Sequence, residues 1–495
     1  MNINIKAANR ISKYPPSNKN LNQNTRSLLT NFWLLAILVI LYFFYSLNTT
    51  SIYSILGAIL IGSVALIPSY LWCSGQALGM PIFPLFALTY LWTHAVQLLS
   101  DNPGSIIYSP ESQLLSSITV TIFLGLGTFI WFQFVKSAPP PPQYYRSFKG
   151  QEVEPFLLYS MVATILFNIG FLGGWLAAID GGIISLFRGI VLGLNALATF
   201  VLAYRWGKRQ LSKKKSQLFL ILIITYTITN AASLLLVGAL STFLLATMAF
   251  IIGRRQVPWL PIAITLACIL FLHYGKGDMR AKYWFSNQQT FVQPWEYPAW
   301  YIEWMDYSWQ HFNQDLLPGN SKDSVKLQSP LERTSLIQLL LMIQERTPRD
   351  VPYLNGATYA IIPQLLVPRL LNPHKIASHE GTYLLNIHYG KQTRADTART
   401  TIGFGLLNEA YANFGFLGCV VLAVILGGGY GQVTRWSINT PIFSFRSLFA
   451  MLLMPFTFQS EFSAGVYIAA LFQSLVPLVV ITIVFMKVYK LEQAK

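Results

Sequence analysis

Residues 52–72, Ile52-YSILGAILIGSVALIPSYL-Trp72, carry no charged side chain. An α-helix rises about 1.5 Å per residue, so a run of about 20 apolar residues covers the ~30 Å hydrocarbon layer of a bilayer. A helix also satisfies its own backbone donors and acceptors there, which an irregular lipid-exposed segment cannot do. The same pattern recurs along the chain. We read spans at about 32–48, 52–72, 80–99, 114–135, 156–178, 184–204, 217–234, 236–252, 258–274, 411–430, 440–459 and 464–486.

Composition agrees with that reading. Of 495 residues, 53% are hydrophobic and 11% charged, and the mean hydropathy is +0.46. The expected fold class is an all-α polytopic membrane protein with about 12 transmembrane helices and a large extracytoplasmic loop. Residues 1–30 read as a basic cytoplasmic tail, because they lack an apolar core and a small-residue cleavage pattern. Residues 31–274 hold the first nine spans, 275–410 form the outer loop domain, and 411–495 hold the last three spans and a short tail. Cys73, Cys268 and Cys419 fall in or beside apolar segments with no CxxC pair, so neither a disulfide framework nor a zinc site is indicated.

The net charge of +16 could point to nucleic acid in a soluble protein, but placement decides otherwise here. With the N-terminus inside, the inner segments collect 21 of the 35 Lys and Arg residues, including six between Arg205 and Lys215. The short outer loops 100–113 and 179–183 have none, as the positive-inside rule requires. Residues 275–410 carry thirteen bases and twelve acids, so the outer segment is nearly neutral and no polybasic anchor. The expected location is the plasma membrane, with both termini cytoplasmic and no nucleic-acid partner. Pro139 to Pro142 read as a stiff spacer in an inner loop.

Candidate chemistry gathers near the outer face. Arg188 lies near the outer end of the sixth span, where a cavity-facing role competes with snorkelling to the headgroups. Residues 283–312 hold twelve aromatics, among them Trp300 and Trp304, with Glu296, Glu303, Asp306 and His311 between them. The preferred reading is an interfacial aromatic belt; the functional reading is a sugar-stacking surface. Segment 335–345 is too short to span and reads as an amphipathic helix beneath the outer domain, followed by Arg346, Arg349 and Asp350 between prolines.

The stretch Tyr359-AIIPQLLVPRLLNPHKIASH-Glu380 has prolines at 363, 368 and 373, which prevent an ordinary spanning helix. It reads as re-entrant or interfacial, with Arg369 directed at what occupies the cavity. His379, His388, Arg394 and Arg399 follow it. Glu409 stands at the start of an apolar span, a costly place for an unpaired acid, and Asn413 shares its face at a spacing of four. Arginines bind phosphate oxygens in bidentate fashion and stay charged, while His or Glu beside them can take a proton from a hydroxyl. A structural ion pair or a solvated surface is the alternative for each of these residues.

Four segments give a family resemblance: PLFALTYLW (84–92), TPRDVPYLNGATY (347–359), VPRLLNPHK (367–375) and LLNEAYANFGFLG (406–418). They are similar to segments of bacterial O-antigen polymerases, also called oligosaccharide repeat-unit polymerases. Arg369 and Lys375 match the basic positions of one family motif; Glu409, Tyr411, Asn413 and Gly415 match the other. The resemblance implies a GT-C-like membrane glycosyltransferase that uses polyprenyl-diphosphate donors without metal or other cofactor. One departure is that Asn230-AASLLLVG has no arginine where many relatives carry one.

The resulting expectation is polymerisation of polyprenyl-diphosphate-linked oligosaccharide repeat units, donor and acceptor both lipid-linked, on the outer face of the membrane. Arg188, Arg349, Arg369, Arg394 and Arg399 would hold diphosphate, and Glu409, His379 or His388 would activate the acceptor hydroxyl. Trp300, Trp304, Tyr411 and Asn413 are the sugar-binding candidates. A flippase and a chain-length regulator are the expected protein partners. An O-antigen ligase shares the same chemistry. A flippase or exporter predicts charges along a path through the spans, and a non-catalytic scaffold would tolerate loss of Arg369 and Glu409 together.

Overall fold

The computed structural model describes residues 18–49, 51–100, 102–148, 153–179, 181–284, 291–316, 334–367, 371–372, 374–397 and 401–490. The first half is a run of helices: α1 (Asn18–Tyr45), α2 (Ile52–Cys73), α3 (Ile82–Leu99) and α4 (Pro110–Val135), then α5 (Val153–Leu172), α6 (Gly181–Gly207), α7 (Lys213–Ala231), α8 (Leu236–Arg254) and α9 (Trp259–Tyr283). Serines open several of them. Ser51, Ser109 and Ser212 each accept from a backbone N–H in the first turn, satisfying donors that the helix itself leaves free.

The outer segment holds α10 (Tyr297–Leu316), α11 (Ile337–Arg346), the short α12 (Ala357–Ala360) and α13 (Ile362–Leu366), and α14 (Glu380–His388). Three helices follow: α15 (Leu406–Ser437), α16 (Phe445–Thr457) and α17 (Ala464–Phe485). Strand β1 (Tyr144–Phe148) pairs antiparallel with β2 (Met486–Lys490), Tyr144 opposite Lys490.

Among the described residues, ten helices are long and apolar enough to cross a membrane. Two of the twelve expected segments fall short of that standard. Helix α7 begins with Lys213, Lys214 and Lys215, and α16 has only 13 residues with Pro455 inside. The connections nevertheless sort into two poles. At one pole β1 pairs with β2, Ser147 bridges to Ser444, Glu154 meets Arg205 and Lys215, and the Ser27 hydroxyl donates to Arg255 O. At the other, Asn48 N donates to Leu99 O, Val292 N to Leu172 O, Arg280 to Leu234 O, and Gly405 N to Glu461 O. Both described ends of the chain therefore lie at the first pole, here called inner, and the 291–405 segment lies at the second, here called outer.

The core is a continuous apolar packing of α2, α3, α4, α15, α16 and parts of α5 to α8 and α17. Phe83 stacks on Trp131 with centroids 5.8 Å apart, and Phe86 packs against Phe123 and Tyr430. A five-residue π-helical turn, Leu91–Ala95, interrupts α3 and carries the buried His94.

One expectation for the outer segment changes in detail. Helix α11 does not rest beneath the outer domain on one apolar face. Ile337 and Leu339 to Ile343 are all buried, Leu336 N bonds Thr93 O, and Gln344 bonds Ser116 and Thr119 of α4. It is thus inserted between α3, α4 and α15, its glutamine satisfied by hydroxyls of a neighbouring helix. The proline-framed stretch from Tyr359 forms α12 and α13, two short helices against the start of α17, where Leu365 approaches Gly465.

Candidate functional site

The site is built around a break in α15. Its first turns, from Leu406 to Asn413, are helical, but Phe414 has φ −139° and Gly415 has φ 62° and ψ −150°. A residue with a Cβ resists that left-handed conformation, and a Cβ here would also stand 2.9 Å from the Tyr353 hydroxyl. Asn413 holds the break. Its amide donates to Thr358 Oγ1 and Glu409 O, both at 2.8 Å, and its Oδ1 accepts from Gly356 N at 2.9 Å. Asn413 is fully buried, so it works as a polar staple between α15 and α12.

Glu409 is 0% exposed. One carboxyl oxygen, Oε2, accepts from Ala464 N at 2.6 Å, which sets the acid at the N-terminus of α17. The positive end of that helix offsets part of the cost of burial, up to about 2 kcal/mol in favourable geometry. The Thr358 hydroxyl also interacts with the carboxyl, but Oε1 is buried and makes no hydrogen bond of normal geometry among the described residues. A buried carboxyl with half its acceptor capacity open is expensive to keep, several kcal/mol if ionised. The alternative of an ion pair with Arg394 is not what the structure shows, because that arginine is engaged elsewhere.

Around this centre, the Thr382 hydroxyl pairs with Ser463 Oγ at 2.8 Å, and Asn386 donates to Thr382 O and Ile402 O. Glu461 lies in the same connection as Ser463, and its backbone carbonyl accepts from Gly405 N. Its side chain keeps open surface, yet the protein around the carboxyl raises its pKa, with Lys276 opposing. Sequence reasoning passed over Glu461 and Thr358. A lone acid in the short polar break Gln459-SEFSAG between two apolar segments was the available signal for the first.

The other candidates are distributed unevenly. His379 is exposed beside Tyr383, and the protein around its ring lowers its pKa below the usual imidazole value. His388 is half-buried and its Nε2 meets Pro352 O at 2.9 Å, so that nitrogen already ties two loops together. Arg394 is bound bidentately to Glu380 at 2.8 and 3.0 Å and lies over the Tyr383 ring. Arg349 forms the same kind of fork with Asp350 at 3.0 and 3.1 Å. Both forks are exposed, and a phosphate would have to displace the carboxylate. Lys375 is anchored to Leu365 O. Arg369 and Arg399 lie outside the described residues.

Arg188 is exposed on α6, over the Phe171 ring, and is not part of the Glu409 cluster. Its neighbour Gly189 meets Gln473 of α17, nine residues along that helix from Ala464, or about 13 Å by helical rise. Trp300 and Trp304 are buried between α9 and α10. Trp304 Nε1 donates to Leu272 O at 2.7 Å, and Trp300 packs on Tyr283 at 4.3 Å. The expected sugar-stacking surface is therefore core packing at these two positions, while Trp295 and Trp309 carry the exposed aromatic area. The acids among them are engaged too, Glu303 with Lys282 and Tyr283, Glu296 with Gln293 N and Asp306 with Gln310, and His311 pairs with Asp278. Tyr411 is half-buried in the core beside the site.

Among the described residues, no three His, Cys, Asp or Glu side chains gather closely enough to hold a metal ion. Comparison with protein families, with curated proteins and with solved structures gives no match. What the fold defines is a multi-pass helical membrane protein with a buried carboxyl at the junction of its outer segment and its spans.

Proposed function

We propose that this protein is a membrane glycosyltransferase that joins polyprenyl-diphosphate-linked oligosaccharide repeat units at the outer face of the plasma membrane. The observation that carries the reading is Glu409: fully buried, its Oε2 bound by the Ala464 N–H and its carboxyl met by the Thr358 hydroxyl, at a break in α15 roofed by α12 and α14. A carboxyl in that setting can take the proton of an acceptor sugar hydroxyl as the hydroxyl attacks the anomeric carbon of the donor. The leaving polyprenyl diphosphate departs with the electron pair of the broken C–O bond, and cations stabilise it. Arg369, Arg394, Arg399 and Arg349 are the candidate cations of this segment, with Arg188 further off.

Access from lipid supports the same reading. Phe414, Phe416 and Leu417 are exposed apolar residues at the break, a surface along which a polyprenyl chain can lie. Helix α7 runs from the Glu154 pair at the inner pole to Leu234 at the outer, and α16 runs from Ser444 to the Glu461 connection. Counting both as spans gives twelve, and the excess of Lys and Arg at the inner pole favours cytoplasmic termini. A chain-length regulator and a flippase are the partners this activity requires.

The test is direct. Purified full-length protein supplied with a polyprenyl-diphosphate-linked repeat should give a ladder of longer glycans, abolished by Arg369→Ala and by Glu409→Gln. Transfer of one finished chain to a different acceptor identifies a ligase instead. Unreacted substrate with the parent protein rejects the enzymatic reading.

A further inference from the structure

A cleft of about 630 Å3 opens at the inner pole, between the α6–α7 connection and the α8–α9 connection. Arg209, Lys213 and Arg254 line it together with Trp206, Phe250 and Pro258, and no Asp or Glu is among its lining residues. Its shape follows from a close helix crossing. A Cβ on Gly207 would stand 2.7 Å from Phe250 O, and one on Gly253 would stand 2.6 Å from Tyr204 O, so α6 and α8 touch backbone to backbone there. Trp206 and Phe250 pack just beside the crossing, centroids 5.0 Å apart. Past it the chains turn away through Arg209 and Arg255, both left-handed at φ 56° and 61°.

The charge at this pole is left open. Glu154 is the one described carboxylate of the inner pole, and Arg205 and Lys215 both bind it. Lys208, Arg209, Lys213, Lys214, Arg254 and Arg255 have no ion pair among the described residues. Arg254 spends its Nε on Gln256 and has both Nη groups left for an anion. The apolar side of the cleft runs into exposed Leu218 and Ile221 of α7 and Trp259 and Leu260 at the start of α9.

We infer that this cleft is a binding site for the phosphate headgroup of an anionic membrane lipid, whose acyl chains lie against the exposed faces of α7 and α9. Basic residues alone would serve any phosphate. The aromatic and aliphatic walls at the edge of the bilayer select one that carries hydrocarbon. Each basic residue near an anionic lipid surface is worth about fivefold in affinity, so three together give about a hundredfold.

The experiment uses the full chain, delipidated in detergent and titrated with phosphatidylglycerol or phosphatidylcholine, with bound lipid counted by native mass spectrometry. The parent should retain phosphatidylglycerol in preference. The triple variant Arg209→Gln, Lys213→Gln, Arg254→Gln should bind it about a hundredfold more weakly, whereas Lys487→Gln with Lys490→Gln, on β2 at the same pole, should bind as the parent does. If the triple variant does not fold, Lys213→Gln alone should lose about fivefold. Equal loss in the β2 variant, or equal retention of phosphatidylcholine, overturns the site as general surface charge. Displacement of the lipid by millimolar inorganic phosphate would assign the cleft to a soluble anion and overturn the lipid assignment.

Discussion

The two poles of this bundle handle charge in opposite ways. At the outer pole four described bases are paired with carboxylates, Arg394 with Glu380, Arg349 with Asp350, Lys282 with Glu303 and His311 with Asp278, while Arg280, Arg346 and Lys375 bind backbone carbonyls. At the inner pole a single described carboxylate, Glu154, is shared by Arg205 and Lys215, and the remaining cations are unmatched. The outer pairs are mostly exposed; the inner pair of Arg205 and Glu154 is buried. The outer pole is thus near neutrality and can hold a site defined by geometry. The inner pole keeps a net positive surface among the described residues, which attracts anions.

The largest effect should come from breaking the buried inner pair. Glu154→Gln leaves the guanidinium of Arg205 without its counter-charge in a protein interior, which costs roughly 3–5 kcal/mol. Glu380→Gln, at an exposed outer fork, should shift stability by less than about 1 kcal/mol. Thermal unfolding of both variants in the same detergent measures the contrast. Equal and small shifts would mean that the two poles do not differ as described.

Glu409 is the next point of leverage, because it is fully buried and has no ion pair among the described residues. A glutamine at 409 can still accept from Ala464 N, so Glu409→Gln should leave the melting temperature near that of the parent. It should lower product formation by at least about 100-fold, the usual weight of a positioned general base. Glu409→Ala should in addition lose stability by about 1–3 kcal/mol, since the Ala464 donor is left unsatisfied. A Glu409→Gln protein that still builds ladders would reduce this acid to a cap on α17.

A smaller effect tests the break that positions it. Gly415→Ala must adopt φ 62° with ψ −150°, a region essentially confined to glycine, and crowd the Tyr353 hydroxyl, a loss of roughly 1–3 kcal/mol from the backbone alone. Adding Tyr353→Phe relieves the crowding but not the backbone strain, so only part of the loss should return. Full recovery would show that the left-handed turn carries no strain of its own.

How much of this was legible in sequence follows from what each signal reports. An apolar run such as 52–72 has one stable outcome in lipid, so the helices and their alternation between poles could be read from composition and charge. Glu409 and Asn413 stood out because an acid and an amide interrupt an otherwise apolar helix, and Gly415 entered only through the family resemblance. Trp304 and Trp295 look alike in sequence, and only the packing of α10 on α9 buries one and exposes the other. Helix α11 reads as an amphipathic helix beneath the outer domain, and its insertion was not legible because the partners of Gln344, Ser116 and Thr119, lie more than two hundred residues away. The pairing of Thr382 with Ser463 is long-range in the same way. Sequence reports which groups are costly to bury; the chain's return path decides which partners meet them.

The smallest expected effect is a pH dependence at the outer pole. His379 has a pKa below the usual imidazole value, because the protein around its ring disfavours the charged form. The folded chain therefore binds this proton less readily than the unfolded chain. Stability should rise with pH between the lowered folded value and about 6.5, where the unfolded imidazole titrates, and be flat above it. Acidification through that interval should destabilise the protein slightly, and His379→Gln should remove the slope. Because the ring is exposed, solvent screens most of the effect. The same shift leaves His379 neutral at pH 7 and able to accept a proton, whereas the Nε2 of His388 is already bound to Pro352 O. If His379 rather than Glu409 is the base, ladder formation should fall on acidification through this same interval, and His379→Gln should abolish it while Glu409→Gln does not.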